Sequence, residues 1–316
     1  MRAFLFPGQG SQAVGMGAAL GEASRAARDV LEQVDEALGQ NLSRLMRDGP
    51  EDQLKLTENA QPAIMANALA VYAVLTRDCG VQLGTAAQVA AGHSLGEYSA
   101  LCAAGAFDLA TTARLLKLRG QAMQAAVPVG EGAMAALLGA DVELARKIAE
   151  AAAQGPDGNE SVCEVANDND PNQVVISGQF AAIMRAIDLA KGMGAKRAVQ
   201  LPVSAPFHCS LMQPAADAMA AALAKTMILR PAVPIYCNVT AAPESDPDHL
   251  RANLVAQVTG MVRWRESVAA MAAAGIEEFV ELGGKVLAPM VKRIAPDARV
   301  TSIVTIDEIE AFAKGL

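Results

Sequence analysis

The chain alternates short apolar runs with longer stretches in which apolar residues recur every three or four positions. Arg2-Ala3-Phe4-Leu5-Phe6 reads as a buried strand halted by Pro7-Gly8. Within residues 23–38, Val30, Leu31, Val34 and Leu38 fall at helical spacing. Pro62 follows the polar residues 58–61, and proline suits a first helical turn, so a helix is expected from there to about Cys79. Val89-Ala90-Ala91 is a short strand, followed by a glycine-rich turn and a helix from Leu95 to Ala104. Strands alternating with helices predict an α/β protein with a largely parallel sheet covered on both faces.

The middle of the chain has another rhythm. Strands are expected at 133–138, 162–165, 173–177 and 197–201, with helices at 142–153 and 181–191. The order β-α-β-β-α-β is that of a ferredoxin-like unit, which closes its own small core. Gly130 and Gly132 precede this stretch and Pro202 follows it, as suits an insertion. The expected division is a large domain at 1–128 and 199–316 and a small one at 129–198. The competing reading is one continuous sheet.

Composition narrows the class. Among 316 residues, 26 Lys+Arg stand against 34 Asp+Glu, for a net charge of −8, which disfavours a nucleic-acid binder. An apolar content of 52% can bury a sizeable core and excludes disorder. Charges or glycines interrupt every apolar run, so no membrane span is expected, and the first residues lack the apolar core of a signal peptide. Five cysteines with no C-x-x-C spacing read as small hydrophobes in a reducing compartment, not as disulfide or metal ligands. A soluble cytoplasmic protein is the expectation.

The strongest chemical signal is Gly92-His93-Ser94-Leu95-Gly96, between an expected strand and an expected helix. That is the context of a nucleophile elbow, whose tight turn needs small flanking residues and aims the hydroxyl out of the sheet. The N–H of Leu95 at the helix start lies ready for a developing oxyanion. A serine needs a base. Of the three histidines, His93 adjoins the serine and is read as structural, and His249 sits in a polar helix start at the surface. His208 ends the two-proline approach Leu201–Phe207 and is the best candidate, against the alternative of a capping or core histidine. Arg119 lies within the apolar stripe of Leu115, Leu118, Ala122, Met123 and Ala126, so its guanidinium must face either an internal acid or an anionic ligand. The loop Pro7-Gly8-Gln9-Gly10-Ser11-Gln12 leaves the first strand toward the same sheet end and could bring a backbone N–H to a ligand. It lacks the G-K-[ST] ending of a phosphate loop.

Taken together, these segments resemble the malonyl-CoA:acyl-carrier-protein transacylase family along the whole chain. The motifs are Phe6–Gln12, Gly92–Tyr98, Leu118-Arg119-Gly120, Ala166-Asn167 through Pro171 to Gly178, Val203–His208, and Gly284–Leu287 with Val291–Ile294. The resemblance implies a large α/β-hydrolase-like domain with the inserted ferredoxin-like one, Ser94 as the acylated nucleophile and His208 as its base and acid. It implies an oxyanion hole from the N–H groups of Gln9 and Leu95, and Arg119 as the binder of the malonyl carboxylate. Gln257 matches the position whose backbone carbonyl orients the histidine. Asn167 and Phe207 fall at substrate-binding positions, and Phe207 with Leu95 goes with malonyl over methylmalonyl selection. One departure is the Gly283-Gly284-Lys285 turn, one residue shorter than the family's usual form.

The implied activity is ping-pong transfer of malonyl from malonyl-CoA to the phosphopantetheine thiol of acyl carrier protein, by a monomer, with no cofactor or metal. The alternatives are a serine hydrolase or thioesterase, a non-catalytic acyl-CoA or carrier-protein binding module, or a stand-alone loader for polyketide synthesis or malonate decarboxylation. Because both substrates are anionic, Arg114, Lys117, Lys285, Lys292 and Arg293 are expected to concentrate positive charge around the cleft.

Overall fold

The computed structural model describes residues 1–155 and 158–316. Two sheets form, with strands β1 (Arg2–Phe6), β2 (Val89–Gly92), β3 (Gly132–Leu138), β4 (Cys163–Asp170), β5 (Gln173–Gln179), β6 (Arg197–Gln200), β7 (Ile235–Tyr236), β8 (Pro243–Glu244), β9 (Glu278–Leu282) and β10 (Arg299–Ile303). The larger sheet has the order β10-β9-β1-β2-β7-β8 and is parallel except for the terminal β7–β8 pair. The period-2 alternation of β1 explains its burial on both faces. Phe4 and Phe6 join the main apolar cluster, while Ala3 and Leu5 pack with Trp264, Val268 and Phe279 on the other side.

The second sheet is antiparallel throughout, in the order β4-β5-β3-β6, so one continuous sheet does not form. Ala133, Ala135 and Leu137 of β3 pack under the helices Val142–Ala153 and Phe180–Ala190. The alternate residues Met134 and Ala136 face the main cluster. The small unit is thus wedged between its own helices and the larger one.

β4 fastens the two units. It runs to Asp170, five residues past the end the sequence predicts, because its polar Asn167-Asp168-Asn169-Asp170 run has partners in the larger unit. The Asp168 N–H donates to the Val262 carbonyl and the Val262 N–H to Ala166, each at 2.9 Å. On the side chains, Asp168 binds Arg265 at 2.7 Å and Asp170 binds Arg293 at 2.8 Å, with both carboxylates fully buried.

One helix begins earlier than its sequence predicts. It spans Thr57–Ala73, so Pro62 sits in the second turn, not the first, and it widens into a π-helical turn at Val74–Asp78. The polar residues taken for an approach are helical, since Asn59 and Gln61 find buried partners. Proline lacks an N–H, which leaves one helical acceptor without its donor, and tertiary packing outweighs that loss. Among the described residues, no helix is long and apolar enough to cross a membrane.

Candidate active site

Ser94 occupies the turn from β2 into the helix Gly96–Ala103, with φ at 52°, in the left-handed region that costs a non-glycine residue about 1–2 kcal/mol. Two glycines make the turn possible. A Cβ on Gly92 would lie 1.9 Å from the carbonyl of Gly96, and one on Gly96 would lie 2.3 Å from the Phe6 oxygen. Asn238 pins the turn: its Oδ1 accepts from the Ser94 N–H and its Nδ2 donates to the Gly92 carbonyl, both at 2.7 Å.

The Ser94 hydroxyl stands 2.7 Å from His208 Nε2, and His208 Nδ1 lies 2.8 Å from the main-chain oxygen of Gln257. A carbonyl only accepts, so Nδ1 carries the ring proton and Nε2 presents its lone pair to the serine O–H. Burial, and then the nearby Arg119 charge, push the His208 pKa down to about 3. The imidazole is therefore neutral near pH 7.

Arg119 reaches the same point from the buried face of the helix Leu109–Ala125 and is 1% exposed. Gly120 allows this approach, because its backbone lies where a Cβ would come within 2.6 Å of the Thr57 carbonyl. Nη1 of Arg119 donates to Gln61 Oε1 at 2.8 Å. Nη2 donates to Gln257 Oε1 at 2.9 Å and to the Ser94 hydroxyl at 3.2 Å, while Nε has no partner among the described residues. Its acceptors are neutral amides and a hydroxyl, not the internal carboxylate that the sequence left open.

These groups open into a cavity of about 460 Å³ that spans the two units. Gln9, Leu95, Phe207 and Asn167 all line it. Neither the Gln9 nor the Leu95 N–H donates to another group among the described residues, as a pair of donors awaiting a ligand would require. The cavity thus gathers Ser94, His208, Arg119, Gln9, Leu95, Asn167 and Phe207, with Gln257 behind them.

His93, read from the sequence as structural, is held by two neighbours. Its ring lines the cavity beside Ser94, with Nε2 bonded to Asn169 Oδ1 at 2.8 Å and the ring tilted against Trp264. Burial pulls its pKa down. His249 is exposed and paired with Glu244, as expected. Among the described residues, no group of three or more His, Cys, Asp or Glu side chains is placed to hold a metal ion.

The expected cationic rim is largely engaged internally. Lys117 pairs with Glu58, Lys285 with Glu308 and Arg293 with Asp170, while Lys292 donates to the Ala298 carbonyl. Arg114 is exposed. The short Gly283-Gly284-Lys285 turn is held by the buried Glu281 carboxylate, which accepts from the N–H groups of Val286, Leu287 and Ala288.

Three partners of the site carry no sequence pattern of their own: Gln61, Asn238 and Glu97. Gln61 is a polar residue on a helix buried almost all round, and Glu97 directly follows the serine motif. Those positions were the available signals. Asn238 had none.

Comparison with known proteins places this geometry. Residues 3–292 match the acyl transferase domain family. The malonyl CoA-acyl carrier protein transacylase of Escherichia coli K12 is 45% identical over 293 residues, 92% of each chain. That of Bacillus subtilis is 42% identical over 92% of this chain and 90% of its own. The crystal structure of the acyl-carrier-protein-S-malonyltransferase from Bartonella henselae superposes with a TM-score of 0.95 at 50% identity, covering 99% of this chain and 98% of that one. A malonyl-transacylase solved with a type II polyketide-synthase acyl-carrier protein superposes at 0.94 with 37% identity, over 100% and 99% of the two chains. Likeness at this identity and coverage, together with a serine turn that only this glycine spacing permits, means that the chain belongs to the acyl transferase family.

Proposed function

We propose that this protein transfers malonyl from malonyl-CoA to the phosphopantetheine thiol of an acyl carrier protein through a malonyl-Ser94 ester, supplying malonyl-carrier protein for fatty-acid synthesis. One observation carries the reading: a serine, a neutral histidine and a buried arginine whose direct hydrogen-bond partners are all uncharged meet at one point.

His208 Nε2 accepts the Ser94 proton as the hydroxyl attacks the thioester carbonyl, and Gln257 holds the ring in the required tautomer through its carbonyl. The oxyanion sits against the N–H groups of Gln9 and Leu95, where loss of one donor costs about 10²–10³ in rate. Collapse expels the CoA thiolate, which takes the proton from His208. The carrier-protein thiol then repeats the sequence on the ester. Thiol-to-thiol acyl transfer moves no net electrons, so the chemistry asks for no redox cofactor. Arg119, buried at the cavity wall, binds the free malonyl carboxylate directly, a charge-assisted contact that a neutral acyl group cannot make. Phe207 and Asn167, in the cavity wall, contact the substrate, and Phe207 with Leu95 favours malonyl over its methyl-branched relative.

The architecture fits the same reading. The parallel sheet with its serine turn forms an α/β-hydrolase-like domain of residues 1–128 and 199–316. The β3–β6 sheet with its two helices is a ferredoxin-like insertion, expected at 129–198, whose last strand runs on to Gln200. The protein acts in the cytoplasm as a monomer.

Intact mass after mixing with malonyl-CoA tests the reading. The wild-type chain should gain one malonyl group and lose it to holo carrier protein, and Ser94→Ala should gain none. Labelled Ser94→Ala removes the nucleophile. Discharge to water as fast as to carrier protein makes the enzyme a hydrolase instead.

A further inference from the structure

Glu97 is fully buried, one residue past the serine turn, and nothing in the mechanism above uses it. Its Oε2 accepts from the Asn238 N–H at 2.9 Å and from Gln257 Nε2 at 2.8 Å, while Oε1 faces no donor among the described residues. Gln257 Nε2 also donates to the Ser94 carbonyl at 3.0 Å. The other end of that amide, Oε1, accepts from Arg119 Nη2. A carboxylate cannot donate, so it fixes the amide with nitrogen toward Glu97 and oxygen toward Arg119. One amide therefore lies between the buried anion and the buried cation of the site.

We propose that Glu97 is the resident counter-ion of Arg119: it compensates the guanidinium while the cavity is empty and takes a proton from the buffer when an acyl carboxylate arrives. The inference rests on the acyl-transfer reading above. Its physical basis is a count of charges. The empty site holds one anion and one cation, and a bound malonyl group makes two anions share one cation among buried side chains. The excess is relieved where protonation breaks least. Oε1 of Glu97 has no hydrogen bond to lose, whereas the malonyl carboxylate is held directly by the arginine. A neutral acyl group brings no second anion and takes up no proton.

The surroundings leave Glu97 as the group that titrates. Burial pushes its pKa up to about 7, partly offset by its hydrogen bonds and by Arg119. From its own helix, Tyr98 is raised by burial, and Cys237, on the segment after β7, is raised likewise. Arg119 stays charged, while burial pulls His93 down and holds His208 at about 3.

Calorimetry of malonyl-CoA and acetyl-CoA binding to Ser94→Ala, in buffers of different ionisation enthalpy between pH 6 and 8.5, tests the proposal. The phosphates are common to both ligands and cancel in the comparison. Malonyl-CoA should bind with net proton uptake and lose about tenfold in affinity toward pH 8.5, because a second charge at this range shifts a buried carboxyl by about one pKa unit. Acetyl-CoA should show neither effect. Adding Glu97→Gln should abolish the malonyl-specific uptake while malonyl-CoA still binds. Equal uptake with both ligands overturns the proposal, as does uptake that survives Glu97→Gln. The acetyl comparison needs no change at Glu97, so it decides even where that variant does not fold. A wild-type chain that forms no malonyl-serine adduct refutes the proposed function instead, which separates the two failures.

Discussion

Replacing Asn238 by alanine should unfasten the serine turn without touching the serine. The amide makes two hydrogen bonds of 2.7 Å, to the Ser94 N–H and the Gly92 carbonyl, and is 1% exposed. Alanine leaves both backbone groups without a partner, at about 1–3 kcal/mol for each buried polar group. The expected destabilisation is thus about 2–6 kcal/mol, the lower end applying where water enters the gap. Ser94 is held at a φ of 52°, worth about 1–2 kcal/mol of strain that an untethered turn is free to release. The turn relaxes and the hydroxyl leaves its 2.7 Å contact with His208. Misplacement by about 1 Å costs about 10² in rate. Denaturant unfolding reads the first number, and quenched-flow mass measurement of serine malonylation reads the second. A variant that loads at the wild-type rate with unchanged stability refutes the tether.

Other outcomes follow from the same contacts. Asp168→Ala leaves Arg265 facing a void at the joint between the units; because Arg265 reaches solvent, the loss should be about 2 kcal/mol, below the range for fully buried pairs, measured by denaturant midpoint. An unchanged midpoint would show that the backbone bonds to Val262 hold the joint alone. With a neutral acyl donor, serine acylation under kcat/KM conditions should show no loss of base between pH 8 and pH 5, because the free-enzyme His208 titrates at about 3. A tenfold fall per pH unit below 6.5 would contradict the buried, neutral imidazole. The stability sign follows too: a pKa lowered on folding gives stability that is complete above about 6.5 and is lost as the pH falls toward 3.

Much of the site was legible because its constraints are local. Gly92 and Gly96 are written in the sequence since no other residue fits the turn, and Gly120 beside Arg119 records the contact of two helices at backbone distance. The burial of Arg119 was readable from its place in an apolar stripe. Its partners were not, because Gln61 and Gln257 lie 58 and 138 residues away and meet it only once the helices pack. Asn238 is farther from any pattern, being a single polar residue after a two-residue strand. The length of β4 was hidden for a related reason. A run of four polar residues reads as a loop until Arg265 and Arg293, some hundred positions later, supply its counter-charges.

The last residues of β4 face two ways. Asn167 and Asn169 line the cavity, while Asp168 and Asp170 bind the arginines of the joint. The pleat, adjusted by irregularities after Val165 and Asp168, sorts amides from acids. A single-residue deletion just upstream would reverse the sorting. Two carboxylates would then enter the cavity that Arg119 reserves for an anion, and the joint would receive amides in their place. In-frame loss of one residue from this strand would therefore produce an enzyme that carries its own competitor for the substrate site.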